Sequence, residues 1–176
     1  MNRHSEQKDF SRHMGTGMTI MAWIIFLALL ALFFNHLLDT RNNPNQHLAT
    51  ASIAGNREVV LQRNPYGHYV ATGKINGHPV TFLLDTGASD IAIPASIAQT
   101  LKLAPGPQIQ VQTANGVALA ERTFVHSISL GDITLYDLPA TILHHYRDNE
   151  VLLGMSFLKQ LELVQKGNTL TIRQTP

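Results

Sequence analysis

Phe82-Leu83-Leu84-Asp85-Thr86-Gly87-Ala88-Ser89 sets an apolar run directly before an aspartate and follows it with a glycine turn. A short hydrophobic run that ends at a sharp polar break reads as a β-strand delivering one carboxylate at its end. The tripeptide Asp85-Thr86-Gly87 is by itself a weak signal. It equally suits a strand that closes in a polar turn, with Asp85 accepting backbone hydrogen bonds. The chain around it separates the two readings.

Outward from this stretch the signals are those of short strands joined by turns. Upstream, Val59-Val60-Leu61 gives a strand, Asn64-Pro65-Tyr66-Gly67 a turn and His68 to Ile75 a second strand. Asn76-Gly77 is the dipeptide best suited to a two-residue hairpin, because both central residues take positive φ. His78 to Leu84 is then the return strand. Downstream, Pro94 to Leu103 fits a short helix with proline in its first turn. Ile109 to Thr113 and Val117 to Leu130 flank a second Asn-Gly, and Gly131-Asp132 turns the chain into Ile133 to Leu143. Val151 to Leu153 is a short buried strand and Met155 to Gln160 a brief helix. Leu161 to Val164 and Leu170 to Ile172 form a last hairpin. This pattern predicts an all-β, closed barrel domain over residues 58–176 with one or two short helices.

Before the barrel the character changes. Met18 to Phe34 carries no charge and a single threonine, and Asn35 to Leu38 extends it to the ~20 residues that cross a bilayer as a helix. A buried core helix would show a polar face, and none is present. A cleaved leader would need a shorter apolar region with a small-x-small site close behind, whereas Ala49-Thr50-Ala51 lies far beyond Leu38. A retained transmembrane helix over residues 17–38, held in the lipid bilayer, is the favoured reading. Arg3, Lys8 and Arg12 precede it and only Arg41 follows closely, which predicts a cytoplasmic tail at 1–16 and an extracytoplasmic barrel. Residues 39–57, polar and centred on Asn42-Asn43-Pro44-Asn45-Gln46, read as a flexible tether, and as the nearest flexible substrate should the chain cut itself.

Composition removes several classes. There is no cysteine among the 176 residues, which excludes disulfide frameworks, thiolate zinc sites and cysteine nucleophiles. The formal net charge of +1 is spread without a basic block, so no nucleic-acid partner is expected. Nine histidines include the adjacent His144-His145 but no His-Glu-x-x-His or other ligand spacing. No metal and no cofactor is expected.

The strand–Asp85-Thr86-Gly87-Ala88-Ser89 turn resembles the active-site loop of aspartic peptidases, particularly the single-domain retropepsin type of clan AA. Two further elements follow in matching order. Thr113-Ala114-Asn115-Gly116 resembles the tip of the flap hairpin, and Leu152-Leu153-Gly154 resembles the apolar-apolar-Gly element before the C-terminal helix. The likeness covers Tyr66 to Ile172, and the surroundings (Ile75-Asn76-Gly77 ahead, Gly154-Met155-Ser156-Phe157-Leu158 behind) are similar to bacterial membrane-anchored members, implying an inner membrane facing the periplasm.

The resemblance implies an endopeptidase in which two carboxylates share one proton. Like charges that close cannot both ionise, so one serves as base and the other as acid on a water held between them. Asp85 is the catalytic residue so implied. Thr86 would lock two loops together at a two-fold axis, and Gly87 lets backbone approach the carboxylate and water. Ala88 is small enough for loop packing, and Ser89 is either a hydrogen-bond partner of the aspartate or an ordinary turn serine. Ala114, Asn115 and Gly116 would form the flap tip, and Gly154 would let its strand pack against the loop. Asp-Thr-Gly occurs once, so the second carboxylate must come from another copy, in a homodimer.

Substrates would be extended peptides laid between floor and flap. Val111, Val117 and Ile142 are candidate pocket residues, although apolar core is the more ordinary place for each. Met155 departs from the viral pattern, which has arginine there to support the dimer, and Asp90 falls near the position of its acidic partner. The alternative to catalysis is an inactive retropepsin-like module that binds peptides at the membrane.

Overall fold

The computed structural model describes residues 3–53, 56–113, 116–144, 146 and 149–174, with side chains from residue 17 onward except those of 52 and 53. The chain divides into two compact units, Met1–Thr40 and Arg41–Pro176. The first is the body of helix α1, Arg3–Asn42. Over Gly17–Asn42 it has a mean hydropathy of 2.5 and is long and apolar enough to cross a membrane. It runs past Leu38, where the expected span ends. Pro44, which cannot continue a helix, stands just beyond its last turn.

The second unit is built from β1 (Ala49–Ile53), β2 (Asn56–Gln62), β3 (Tyr69–Ile75), β4 (His78–Leu84), β5 (Ile91–Pro94), α2 (Ala95–Thr100), β6 (Gln108–Thr113), β7 (Gly116–Leu130), β8 (Ile133–Leu143), β9 (Glu150–Leu153), α3 (Met155–Leu158), β10 (Glu162–Lys166) and β11 (Thr169–Gln174). A seven-stranded sheet runs β3-β4-β9-β5-β8-β7-β6 and closes on itself where β3 also pairs with β7, Lys74 opposite Ser129. A four-stranded antiparallel sheet, β1-β2-β11-β10, lies beside it. The fold is thus all-β with short helices.

Sequence dictates these elements locally. Asn76 and Gly77 have φ of 50° and 82°, the double positive φ of a primed hairpin turn between β3 and β4. All four residues of β5, Ile91-Ala92-Ile93-Pro94, are buried, as a strand flanked by a parallel neighbour inside a barrel requires. Helix α2 is shorter than the expected Pro94–Leu103 because Lys102 takes a left-handed φ of 54° and ends it. Phe82, Ile75, Ile91, Ile128, Leu153 and Phe157 fill one continuous core.

The polar tract read as a tether is different in the structure. Asn43 and Asn45 are buried, and residues 49–53 form β1, paired with β2 from Ala49↔Val60 to Ile53↔Asn56. Asn45 acts as a piece of backbone. Its Nδ2 donates to the carbonyls of Gln62 (2.9 Å) and Val70 (2.7 Å), and its Oδ1 accepts from the Gln62 N–H at 2.7 Å. Its own carbonyl accepts from the Thr72 N–H at 3.2 Å. One amide side chain therefore stitches β2 to β3 where no strand lies between them. Asn43 donates to Thr72 Oγ1 (2.9 Å), Asn42 to Glu150 Oε1 (2.9 Å), and Asn64 to the Asn42 carbonyl (3.0 Å). An asparagine-rich run looks like a loop because its amides compete with regular structure; here the competition is won by tertiary partners. Asn43, Asn45 and residues 49–53 are therefore held by the barrel.

At the far end of this sheet Arg173 Nε donates to Glu58 Oε2 at 2.6 Å, which raises the guanidinium pKa above its ordinary value through that hydrogen bond and then through charge attraction.

Asn45→Ala should remove three side-chain hydrogen bonds and orphan buried backbone groups, destabilising the barrel by ~3 kcal/mol. Gln46→Ala, at an exposed neighbour, should change stability by under ~0.5 kcal/mol. Thermal unfolding of both variants in detergent micelles checks the contrast, and equal midpoints would contradict the stitching role.

Candidate active site

Strand β4 pairs in parallel with β9, Leu84 opposite Leu153, and the chain leaves the sheet at Asp85. The Asp85 N–H still donates to the Leu153 carbonyl at 3.2 Å, so the residue bearing the carboxylate is held by the last rung of the ladder. The next turn folds back on it. The Gly87 N–H donates to Asp85 Oδ1 at 2.8 Å and the Ala88 N–H to the Asp85 carbonyl at 3.2 Å. A Cβ on Gly87 would lie 3.1 Å from Asp85 Oδ1, which leaves little room for any side chain there. Asp85 is half-buried, while Thr86, Gly87 and Ser89 are exposed.

The loop is fastened from behind by the start of α3. The Met155 N–H donates to the Ala88 carbonyl (2.8 Å) and the Ser156 N–H to the Ser89 carbonyl (2.9 Å). Gly154 makes this zip possible. A Cβ there would sit 2.6 Å from the Ala88 oxygen and closer still to that of Asp90. Ser156, a buried residue that sequence reasoning passed over, accepts the Ile91 N–H on its Oγ at 3.1 Å. Nothing in the sequence singles it out, because its task is set by where β5 begins. Ser89 contributes its carbonyl; the Asp85 carboxylate takes its hydrogen bond from the Gly87 N–H instead.

Two clefts open on either side of the loop. One, of about 340 Å³, is lined by Asp85, Thr86, Tyr69, Arg63, Leu163 and Gln165 among others. The other, of about 260 Å³, takes in Thr86 to Asp90 together with Pro139, Met155 and Lys159. Asp90 thus shares a cleft with Met155, and the cation present there is Lys159, one helical turn further on.

The hairpin expected as the flap is β6 with β7, in register from Gln108↔Glu121 to Thr113↔Gly116. Its tip residues Ala114 and Asn115 lie outside the described residues, and Gly116, with φ 106°, follows them. On the hairpin's inner face Ile109, Val111 and Ala120 gather with Ala92, Leu143 and Leu152 into an apolar cluster separate from the main core. Of the three candidate pocket residues, Val111 belongs to this cluster, Ile142 is buried in the main core, and Val117 is 66% exposed. Val117 pairs with exposed Gln112, on the face of the hairpin away from the cluster.

No group of three His, Cys, Asp or Glu side chains among the described residues could hold a metal ion. His144 faces Glu121 at 3.1 Å and His126 faces Asp137 at 3.2 Å. What the site offers chemically is one carboxylate, hydrogen-bonded by the backbone of its own loop and partly open to solvent.

Gly154→Ala should force the loop and α3 apart, lowering stability by ~1–3 kcal/mol and peptide hydrolysis on the order of 10²-fold through misplacement of Asp85. Melting and turnover of the same preparation check this. Full turnover in the variant would show that the zip does not position the loop.

The family of gag-polyprotein putative aspartyl proteases matches residues 71–160, from β3 through α3. A Sinorhizobium protein, described only as an uncharacterized protein in the cobV 5′ region, is 34% identical over 169 residues, covering 88% of this chain and 72% of its own. The crystal structure of a retropepsin-like aspartic protease from Rickettsia conorii superposes with a TM-score of 0.57 at 23% identity, over 72% of this chain and 94% of that one. EIAV protease complexed with the inhibitor HBY-793 aligns at a TM-score of 0.46 and 20% identity, over 56% of this chain and 92% of that one. The half-buried aspartate at the end of β4, its glycine turn and the strand–Gly–helix element behind it fall inside the matched region, and the chain belongs to the gag-polyprotein aspartyl protease family as a retropepsin-like aspartic endopeptidase.

Proposed function

We propose that the chain is a membrane-anchored endopeptidase whose active form is a homodimer, with the two Asp85 carboxylates sharing one proton and one water. A single observation carries the reading. Asp-Thr-Gly occurs once in the sequence, and its carboxylate sits on a loop whose Thr86 and Gly87 are exposed, so the monomer holds half of a two-carboxylate site. Two-fold symmetry supplies the other half from the same loop of a second copy.

In the dimer the ionised Asp85 takes a proton from the water, which attacks the scissile carbonyl. The protonated Asp85 donates to the carbonyl oxygen, and the pair then delivers a proton to the leaving amine. Which copy is the acid belongs to the pair and to neither residue alone. The Gly87 N–H on Asp85 Oδ1 fixes the carboxylate plane, and Thr86, exposed at the loop tip, is the contact between loops. Ala88 and Ser89 hold the loop through their carbonyls, and Gly154 admits α3 behind it. Ala114, Asn115 and Gly116 close the flap over an extended peptide, whose main chain hydrogen-bonds to the hairpin edge.

Helix α1 anchors the enzyme in a bilayer through residues 17–38. Arg3, Lys8 and Arg12 keep its N-terminus cytoplasmic and leave the peptidase unit extracytoplasmic, at a bacterial inner membrane facing the periplasm. Substrates are then extended segments of membrane-proximal or extracytoplasmic proteins.

Asp85→Asn should lower hydrolysis of a peptide library, assayed at about pH 3 to 6 where such pairs hold one proton, by at least ~10²-fold. Co-assembly discriminates further. If each site needs two Asp85 residues, activity follows the square of the wild-type fraction, so an equal mixture with Asp85→Asn gives about one quarter of wild-type activity. A linear fall to one half would show that each copy works alone and would end the dimer reading.

A further inference from the structure

We propose that the enzyme cuts other membrane-tethered chains in the extended stretch beside their own spans, because the chain leaves almost no slack between its span and its barrel; this rests on the anchored-peptidase reading above and names its substrate class. As a free tether, residues 39–57 would let the active site wander by roughly 25 Å. The structure takes up that slack from the first residues. Asn42 Nδ2 donates to Glu150 Oε1 at 2.9 Å, and the Asn42 carbonyl accepts from Asn64 Nδ2 at 3.0 Å. Asn43 Nδ2 donates to Thr72 Oγ1 at 2.9 Å, and Asn45 follows with its three side-chain bonds to Gln62 and Val70. Only residues 39–41 stand between the expected end of the span at Leu38 and this fastening. Even fully extended, the step from Leu38 to Asn42 covers at most about 14 Å.

The fastening points form one row across three strands. Thr72 of β3 pairs with Thr81 of β4, and Thr81 pairs with Glu150 of β9. Asp85 follows Thr81 by four residues on the same strand and keeps its N–H in the ladder with Leu153. Strand alternation then sends its side chain from the same face as Thr81, about 13 Å further along. The path from Leu38 through the asparagines to the catalytic carboxylate is on the order of 40 Å at full stretch, about the width of one small domain.

A short leash decides which chains the site meets. Two proteins held in one bilayer encounter each other at an effective concentration set by the reach of their tethers, up to about millimolar for short ones. Here that gain is confined to a layer next to the bilayer. An unfolded segment that leaves its own span directly lies inside the layer, and a site carried outward beyond a folded domain lies outside it. A soluble peptide has no such advantage. A strand-lined cleft also takes its ligand as an extended chain, which a juxtamembrane stretch supplies without unfolding.

Two single-span reporters in proteoliposomes with the full-length enzyme test this. Both carry the best-cut sequence from the peptide library, one directly after a short Gly-Ser stretch. The other carries it beyond a helical spacer of about 60 residues, continuous with the span and about 90 Å long. The wild type should cut the near site at least ~10-fold faster than the far one. A Gly-Ser insert of about 60 residues between Thr40 and Arg41, with a typical reach of ~45 Å, should bring the two rates within about twofold and leave hydrolysis of soluble library peptides unchanged. Equal rates for the wild type, or a ratio that the insert does not move, would sink the reach limit alone, provided the chain resists alkaline extraction from the membrane and cutting needs Asp85. If alkaline extraction releases the chain, the anchor and the reach limit fall together. Cutting that persists in Asp85→Asn would instead end the shared-proton mechanism.

Discussion

The backbone of residues 85–89 is clamped by the chain from Leu153 to Ser156: the Asp85 N–H donates to the Leu153 carbonyl, and the Met155 and Ser156 N–H groups donate to the carbonyls of Ala88 and Ser89. Strands β4, β9 and β5 position that contact. The parallel β4–β9 pairing brings the two segments alongside, β5 runs away from the loop on the far side, and the Ser156 hydroxyl ties the start of β5 to the same helix turn. The absence of a side chain at Gly154 permits an approach that any Cβ would block. An aspartate at a strand end is common; one whose following turn is pinned at consecutive carbonyls has a fixed carboxylate plane. Preorganisation of this kind keeps a carboxylate in one geometry, with little left to reorganise when a reaction calls on it.

Much of the barrel was legible because its signals are local. The return strand His78–Leu84 and the strand Ile133–Leu143 have the bounds that alternation and turn residues imply, and Asn76-Gly77 dictates its own turn. The Asp85 loop and the strand–Gly–helix element behind it were legible because an apolar run ending in Asp-Thr-Gly is compact in sequence, and its partners come in a set order. The N-terminal part of the barrel was not. Asn43 and Asn45 carry the polarity of a linker, and their structural role depends on Gln62, Val70 and Thr72, which no local pattern connects to them. Strand β1, Ala49–Ile53, was hidden in the same tract because three of its residues, Ala-Thr-Ala, are small and its order comes from pairing with β2. Ser156 was invisible for the same reason, and Val117 misled because alternation along a hairpin gives two faces without saying which looks inward.

The proposed function asks the β6–β7 hairpin to accept an extended peptide. At the hairpin β6–β7 the inner face is apolar and gathers Ile109 and Val111 over Ala92, Leu143 and Leu152, which suits side chains of an extended peptide. An extended peptide docked there would gain main-chain hydrogen bonds, with side chains deciding which strand is accepted.

The asparagine stitch also redraws where the globular body begins. Its first structural residues are Asn42 to Asn45, and β1 covers an edge of β2 along Val59 and Val60. A soluble version excised just before residue 57 would therefore arrive with a bare strand margin and four unanswered backbone groups, on Gln62, Val70 and Thr72, the circumstances under which β-proteins stick to one another. Cutting ahead of Asn42 keeps that margin sealed.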